Sequence, residues 1–170
     1  WGTGPPAPLP EPLRGAGKAD LLYTNSTLAL DPDTGEMAWY FQHLPRDNWD
    51  LDHVFERMIV ETELAPDPAD VPWINPDLRA GERRKVITGI PGKTGLIWTL
   101  DAETGEFLWA RPTVYQNIMT GLDLRTGRPT FDESTAPTSV QTPSFACPHL
   151  LGGKNQPSGA YSPDTDALYM

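Results

Sequence analysis

The sequence is poor in cysteine, in positive charge and in long apolar runs, and each shortage excludes a class of protein. Cys147 is its one cysteine among 170 residues, so an internal disulfide is impossible. Lysine and arginine number 13 against 23 aspartates and glutamates, a net charge of −10, which argues against nucleic acid as a partner. No apolar run approaches the ~18 residues of a membrane span, so this segment is not predicted to cross a membrane.

Amphipathic helices are also scarce. Proline and glycine, 19 and 15 residues, predict a chain rich in turns, while six tryptophans and five tyrosines indicate packed structure. Residues 1–20 are rich in proline and glycine and are expected to form a loop without a helix. Residues 76–84 give only a weak indication of a helix. These features favour an all-β chain.

One short motif recurs along the chain. Residues 30–39 and 100–109 both read Leu-Asp-x-x-Thr-Gly-Glu, with a tryptophan (Trp39 and Trp109) three residues beyond the glutamate. A degenerate copy begins at residue 122, and residues 162–166 resemble a fourth turn. Aspartate, threonine and glycine in this order are typical of a tight turn between two strands. A repeated hairpin predicts a radial β array in which each tryptophan docks one unit on the next.

Further strands are predicted between the repeats. The first hairpin is predicted from two strands, at residues 21–30 and 37–42. Four antiparallel strands, typical of one propeller blade, are predicted at 54–62, 85–90, 95–101 and 106–111. Residues 63–84 lack periodicity and are interpreted as a surface insertion within that blade. The last residues, 167–170, resemble a strand cut midway, so the chain is expected to be part of a longer protein.

The segment from Asn48 to His53, Asn-Trp-Asp-Leu-Asp-His, is the candidate site. In an extended segment Asp50 and Asp52 would point to the same side, and Leu51 to the other. Their carboxylates could then converge on one hard cation such as Ca²⁺. The alternative is a solvated turn, in which aspartates are common.

Taken in order, these motifs resemble the pyrroloquinoline quinone (PQQ)-dependent alcohol dehydrogenases of the methanol and ethanol type. The resemblance rests on the repeated hairpin motif and on four further segments, at residues 1–4, 46–52, 92–95 and 147–155. It implies an eight-bladed β-propeller. Residues 1–170 would be part of one PQQ-binding domain and supply roughly two to three of its blades.

The resemblance also implies roles for individual residues. Asp50 corresponds to the family's catalytic base and metal ligand, and Lys93 and Asn155 to residues that contact the cofactor. Asp52 matches an additional metal-ligating aspartate of the lanthanide-using branch, so the expected ion is Ca²⁺ or a lanthanide. Pro5 stands where the family usually has an asparagine ligand, which departs from the pattern. Cys147 matches a half-cystine whose partner would lie beyond Met170.

The function implied is oxidation of a primary alcohol to an aldehyde, with electrons passing through PQQ to a cytochrome c in the periplasm. The isolated segment is expected to be inactive. The alternative is a non-catalytic propeller that binds other proteins in the periplasm as a scaffold. Trp49 is expected beneath the site, whereas His43 and His53 show no spacing typical of metal ligands.

Overall fold

The computed structural model describes residues 1–7, 9, 11–15, 17–139 and 141–170, which form mainly antiparallel strands. Its elements, in chain order, are α1 (Glu11–Arg14), β1 (Ser26–Leu30), β2 (Met37–Gln42), β3 (Met58–Leu64), β4 (Trp73–Ile74), β5 (Glu82–Gly89), β6 (Leu96–Asp101), β7 (Phe107–Pro112), β8 (Met119–Leu122), β9 (Pro129–Phe131), a 3₁₀ turn (Glu133–Thr135), β10 (Ala160–Ser162) and β11 (Ala167–Tyr169). The strands fall into one five-stranded sheet, ordered β3-β5-β6-β7-β4, and three two-stranded hairpins.

The predicted four-stranded blade is confirmed, and it carries an additional edge strand. Strand β4 lies within the predicted insertion 63–84 and pairs with β7, Trp73 opposite Ala110. Asn75 fixes this edge because its backbone N–H donates to Leu108 and its side chain donates to Phe107. The helix considered for residues 76–84 does not form, since β5 begins at Glu82 and pairs along its length with β3.

Two expectations for the first thirty residues are wrong. Residues 21–25 form a turn rather than the start of a strand, because Leu21 and Asn25 have φ angles of 58° and 46° and Asn25 is held inside by its own hydrogen bonds. Residues 1–20 include the single-turn helix α1. Proline is tolerated in a first helical turn, and the N–H of Glu11 is satisfied by the side chain of Asn48.

The repeated motif forms the same turn each time. Asp31 accepts hydrogen bonds from the backbone N–H groups two and three residues ahead, and Asp101 and Asp123 do the same. A glycine four residues after each aspartate has a φ between 70° and 76°, a conformation that glycine adopts without steric cost. The degenerate third copy and the turn at 162–166 also close hairpins, β8-β9 and β10-β11.

The main core lies between the first hairpin and the five-stranded sheet. Trp98, Phe107 and Phe41 meet there at ring-centroid distances of 5.4 to 6.3 Å. Trp39 packs on the second hairpin turn so closely that a Cβ on Gly105 would lie 2.6 Å from its ring. The expected docking of one repeat on the next is therefore confirmed for Trp39. No helix among the described residues has the length and apolarity needed to cross a bilayer.

Candidate functional site

The segment from Asp47 to His53, the site loop, contains a tight turn in place of the extended segment considered above. Asp50 has a φ of 62°. The turn is held by the buried carboxylate of Asp47, which accepts the backbone N–H of Trp49 at 2.7 Å and that of Leu51 at 2.9 Å. Leu51 is fully buried in the main core. The loop therefore directs Leu51 and Asp47 inward and leaves the side chains of Asp50 and Asp52 nearer the surface.

Asp50 and Asp52 nevertheless converge, and the cation between them is Lys93. The Lys93 Nζ lies 2.6 Å from Oδ2 of Asp52 and 3.3 Å from Oδ2 of Asp50, and it donates to the carbonyl of Asp50 at 2.8 Å. The side chain of Lys93 is 8% exposed, against 44% for Asp50. The ammonium group is thus almost enclosed, while the carboxylate of Asp50 can be reached from outside.

The charge of Lys93 is preserved by these contacts. Burial alone would lower the pKa of its ammonium group, but hydrogen bonds and charge attraction from Asp52 and Asp50 outweigh burial and raise that pKa. Lys93 therefore remains a cation at neutral pH and fixes the direction of both carboxylates.

Lys93 reaches the site loop because two backbone segments run side by side. Its N–H donates to the carbonyl of Asp52 at 2.9 Å, and the N–H of Phe55 donates to that of Pro91 at 3.0 Å. Gly92 makes this approach possible, since a Cβ there would lie 2.6 Å from the Asp52 carbonyl and 2.4 Å from the imidazole of His53. The Gly-rich segment that follows β5 thus positions the lysine.

Asn155 lies on a loop that packs against the same lysine. The N–H of Gly153 donates to the Lys93 carbonyl at 2.9 Å. The side chain of Asn155 is used locally, donating to the carbonyl of Leu151 and accepting from the N–H of Gln156. The structure therefore joins Asp50, Asp52 and Lys93 by direct contact and places Asn155 in the neighbouring loop.

The pair of aspartates fits a hard cation in chemistry, although it forms only part of a coordination shell. Both Oδ2 atoms face one positive charge, and each carboxylate has a second oxygen for another partner. Ca²⁺ takes six to eight oxygen ligands, while the described residues bring together no group of three or more His, Cys, Asp or Glu side chains suited to a metal. Pro5 offers no side-chain oxygen, so further ligands would have to come from other groups.

Sequence reasoning missed the buried polar groups that support the site loop. Asn25 donates to the Asp47 carboxylate at 2.9 Å, and burial raises the pKa of Asp47. His53 and His43 stack in parallel at 5.2 Å; burial lowers the pKa of His53 to about 3 and that of His43 well below its usual value. Of these residues, only Asp47 has a role that the local sequence indicates. An aspartate often accepts a hydrogen bond from the backbone two residues ahead, here that of Trp49, in an Asx turn.

Trp49 anchors the other side of the loop. Its indole N–H donates to the carbonyl of Thr135 at 2.8 Å, and its ring lies 5.8 Å from that of Phe131. Cys147 has a free thiol, and its backbone N–H donates a hydrogen bond to the side-chain oxygen of Asn117. Residues from the third hairpin and from the segment after it therefore support the candidate site from outside the blade.

Comparison with known proteins identifies a family. Residues 7–121, more than half of the chain, match the model described as PQQ: glucose/ethanol/alcohol dehydrogenase, beta-propeller domain. The dehydrogenase subunit of the quinone-linked alcohol dehydrogenase of Gluconobacter oxydans is 37% identical over 99% of this chain. The match covers 20% of that relative, so the chain spans about a fifth of its length.

Comparison with solved structures supports the same family. The quinohemoprotein alcohol dehydrogenase of Comamonas testosteroni superposes with a TM-score of 0.82 at 29% identity, over 99% of this chain and 22% of that one. A europium-containing methanol dehydrogenase gives a TM-score of 0.69 at 28% identity, over 85% and 22%. The sheets described above are part of a β-propeller, and the chain belongs to the PQQ β-propeller family of glucose, ethanol and alcohol dehydrogenases.

Proposed function

We propose that this chain is the part of a PQQ-dependent alcohol dehydrogenase that holds the proton acceptor, and that residues 1–170 belong to one PQQ-binding propeller domain. The observation that carries the proposal is the convergence of Asp50, Asp52 and Lys93, within 3.3 Å of one nitrogen, in a chain of this family. The relatives named above are alcohol dehydrogenases, which gives the reaction class. Oxidation of a primary alcohol to an aldehyde is the specific reaction proposed.

Asp50 is the general base in this proposal. Its carboxylate is the more exposed of the pair, so a substrate hydroxyl can reach it. A carboxylate within hydrogen-bond reach of the hydroxyl can accept its proton as the C–H bond breaks. Lys93 holds one oxygen of Asp50, which leaves the other to face the substrate.

Lys93 has a second role through its charge. Its ammonium group is almost enclosed and permanently positive at neutral pH, so it can stabilise negative charge that develops on a neighbouring cofactor oxygen. Asn155, on the loop packed against Lys93, is proposed to contact the same cofactor. Its amide now bonds to Leu151 and Gln156, and it would have to exchange one of these partners to do so.

Asp50 and Asp52 are the residues that would hold the metal ion. PQQ, when bound, would supply the redox chemistry of the reaction by accepting a hydride, and with it two electrons, from the alcohol carbon. The ion, Ca²⁺ or a lanthanide, would supply Lewis acidity next to it. The contacts of Lys93 involve Oδ2 in both aspartates. Each second oxygen has two acceptor sites, so Oδ1 of Asp50 could contact the ion at one and the substrate hydroxyl at the other.

The electron acceptor and location follow from the family rather than from the site. Electrons are proposed to leave one at a time to a cytochrome c, in the periplasm. A relative from Thauera butanivorans is named 1-butanol dehydrogenase (cytochrome c), which supports this acceptor for the present protein. The alternative, a protein-binding propeller without a cofactor, gives no reason for an enclosed lysine between two aspartates.

Substitution of the base tests the proposal. In the complete PQQ-loaded protein, Asp50→Asn should keep the shape of the loop and lower kcat of dye-linked alcohol oxidation by about a hundred- to ten-thousandfold. Asp31→Asn is the matched control, since that carboxylate lies in an exposed hairpin turn and should leave kcat unchanged. Near-wild-type turnover by the Asp50→Asn protein would remove Asp50 from the mechanism.

The metal is tested separately. Asp52 adds one negative charge to the site, and Pro5 lacks the neutral side-chain ligand that the family usually has at that position. The attraction between the added charge and a metal ion is larger for a 3+ ion than for a 2+ ion. Metal-free protein reconstituted with PQQ should therefore be more active with La³⁺ than with Ca²⁺, and Asp52→Ala should abolish the difference. Equal or higher activity with Ca²⁺, or full La³⁺ activity in the Asp52→Ala protein, would contradict this preference.

A further inference from the structure

His53 is a fully buried side chain whose two ring nitrogens both have partners, one on each segment of the candidate site. Its Nδ1 lies 2.8 Å from the carbonyl oxygen of Leu51, between Asp50 and Asp52. Its Nε2 lies 3.2 Å from the hydroxyl of Thr94, the residue after Lys93. The imidazole therefore spans from the segment that carries the carboxylates to the segment that carries the ammonium group.

The partners determine the tautomer. A carbonyl oxygen can only accept, so Nδ1 carries the proton and donates to Leu51. Nε2 is then an acceptor, and the hydroxyl of Thr94 donates to it. His53 and Thr94 are both buried, so bulk water does not compete for this contact.

Further contacts restrain the imidazole ring and the backbone of His53. His43 stacks on it within 7° of parallel, and the backbone of Gly92 lies against its edge. Arg57 donates to the His53 carbonyl at 2.7 Å and to the hydroxyl of Thr27 at 2.6 Å, while that hydroxyl also contacts His43. The imidazole is therefore a rigid spacer of fixed length rather than a mobile side chain.

We propose that His53 is a positioning residue, which sets the distance between Lys93 and the two aspartates by bonding Leu51 on one segment and Thr94 on the other. As far as it concerns turnover, this inference rests on the proposed function. His53 touches no reacting atom; it acts through the backbone carbonyl between the aspartates and through the residue next to the lysine. A displacement of reacting groups by about 1 Å can cost up to a hundredfold in rate, so a spacer of this kind would be needed for kcat.

Thr94→Val is the sharpest test because it removes one hydroxyl and preserves side-chain shape. In the complete protein it should make amide hydrogens of residues 92–95 and 50–55 exchange about fivefold to tenfold faster, the loss expected for one hydrogen bond. In the PQQ-loaded enzyme it should lower kcat about tenfold and leave KM within about twofold, since the substrate's binding surface is unchanged. Thr94→Ser, which keeps the hydroxyl, should restore both values.

Thr88→Val is the matched control. Thr88 is buried, as Thr94 is, and its hydroxyl bonds that of Thr99 at 2.8 Å in the five-stranded sheet. This variant should leave exchange in both segments and kcat unchanged. A second variant, His53→Asn, keeps a donor near the Nδ1 position and loses the contact with Thr94, so it should reproduce the Thr94→Val result.

Each result decides the inference. Unchanged exchange in residues 92–95 and 50–55 of the Thr94→Val protein would overturn it, as would equal effects of Thr88→Val. Faster exchange with unchanged kcat in an active enzyme would also overturn it. A wild-type protein without PQQ-dependent turnover would refute the proposed function alone, and the exchange rates would still show whether His53 joins the two segments.

Discussion

Two kinds of acidic turn occur in this molecule, and they differ in how their carboxylates are satisfied. In the repeated hairpins, Asp31, Asp101 and Asp123 each bond the backbone of their own turn. In the site loop, Asp47 bonds its own turn, but the outward-facing pair depends on Lys93, more than forty residues away. The hairpin turn is complete in itself, whereas the site exists only when two distant segments meet.

The difference separates aspartates that stabilise a turn from aspartates that can take part in catalysis. In the hairpin turns the local N–H groups all bond Oδ1 of the aspartate, and these carboxylates hold their own turns. Asp50 instead bonds Lys93 through its Oδ2, and it remains 44% exposed. The carboxylates available for chemistry in this chain are therefore those that an enclosed cation orients, rather than those that hold a local turn.

Removal of the buried carboxylate should give a large stability effect. Asp47→Ala leaves the N–H groups of Trp49 and Leu51 and the amide of Asn25 without their partner. We expect the free energy of unfolding of the complete protein to fall by about 3 kcal/mol, measured by urea unfolding followed by tryptophan fluorescence. Asp31→Ala should cost much less, because water can replace an exposed carboxylate. Equal losses would show that the two turns are equivalent.

Substitution of two glycines distinguishes the energetic cost of a left-handed turn from the cost of disturbing the packing of Trp39 on the second hairpin. Gly35 and Gly105 have φ angles of 76° and 75°, but only Gly105 lies against the ring of Trp39. Gly35→Ala should cost about 1–2 kcal/mol for its left-handed backbone. Gly105→Ala should cost a further ~1–3 kcal/mol, because the new methyl group forces the tryptophan aside. Urea unfolding of the two variants measures the difference, and equal costs would mean that the contact with Trp39 contributes nothing.

The pH dependence of stability gives the smallest effect. Burial lowers the pKa of His43 in the folded chain below its usual 6.5, so below about pH 6.5 the unfolded state binds a proton that the folded state does not. Stability should therefore fall as pH falls, by at most about 1.4 kcal/mol per pH unit for this one proton. His43→Gln should reduce that slope between pH 6.5 and 5. The exposed His149 provides the control, and an unchanged slope in the His43→Gln protein would contradict the assignment.

The hairpins could be predicted from sequence because their information is local. Asp31 to Gly35 contains every group that the turn needs, and the same five positions recur at Asp101 and Asp123. Strand β4 could not be predicted, because Trp73 and Ile74 are strand residues only through pairing with β7. The one-turn helix at Glu11–Arg14 likewise depends on Asn48, a residue far along the chain.

The candidate site was predictable as a set of residues but not as a geometry. The motif and the family resemblance selected Asp50, Asp52 and Lys93, and the structure brings them into contact. The extended geometry considered for the convergence is not the observed one, since Asp50 has a positive φ. His53 showed no ligand spacing, and its two contacts depend on folding of residues 51 and 94 against it.

Asp50 and Lys93 are proposed to act as one unit, and a double-mutant cycle is the direct test of that coupling. In the complete PQQ-loaded enzyme, kcat is measured for Asp50→Asn, Lys93→Met and the double variant. The double variant should lose no more than about tenfold beyond the worse single variant, because removing either member of a coupled pair already removes most of their joint effect. A cycle of Asp50→Asn with Arg84→Met, whose ion pairs with Glu82 and Glu106 lie at the far end of β5, should instead give multiplicative losses. A double loss equal to the product of the Asp50→Asn and Lys93→Met losses would contradict the claim.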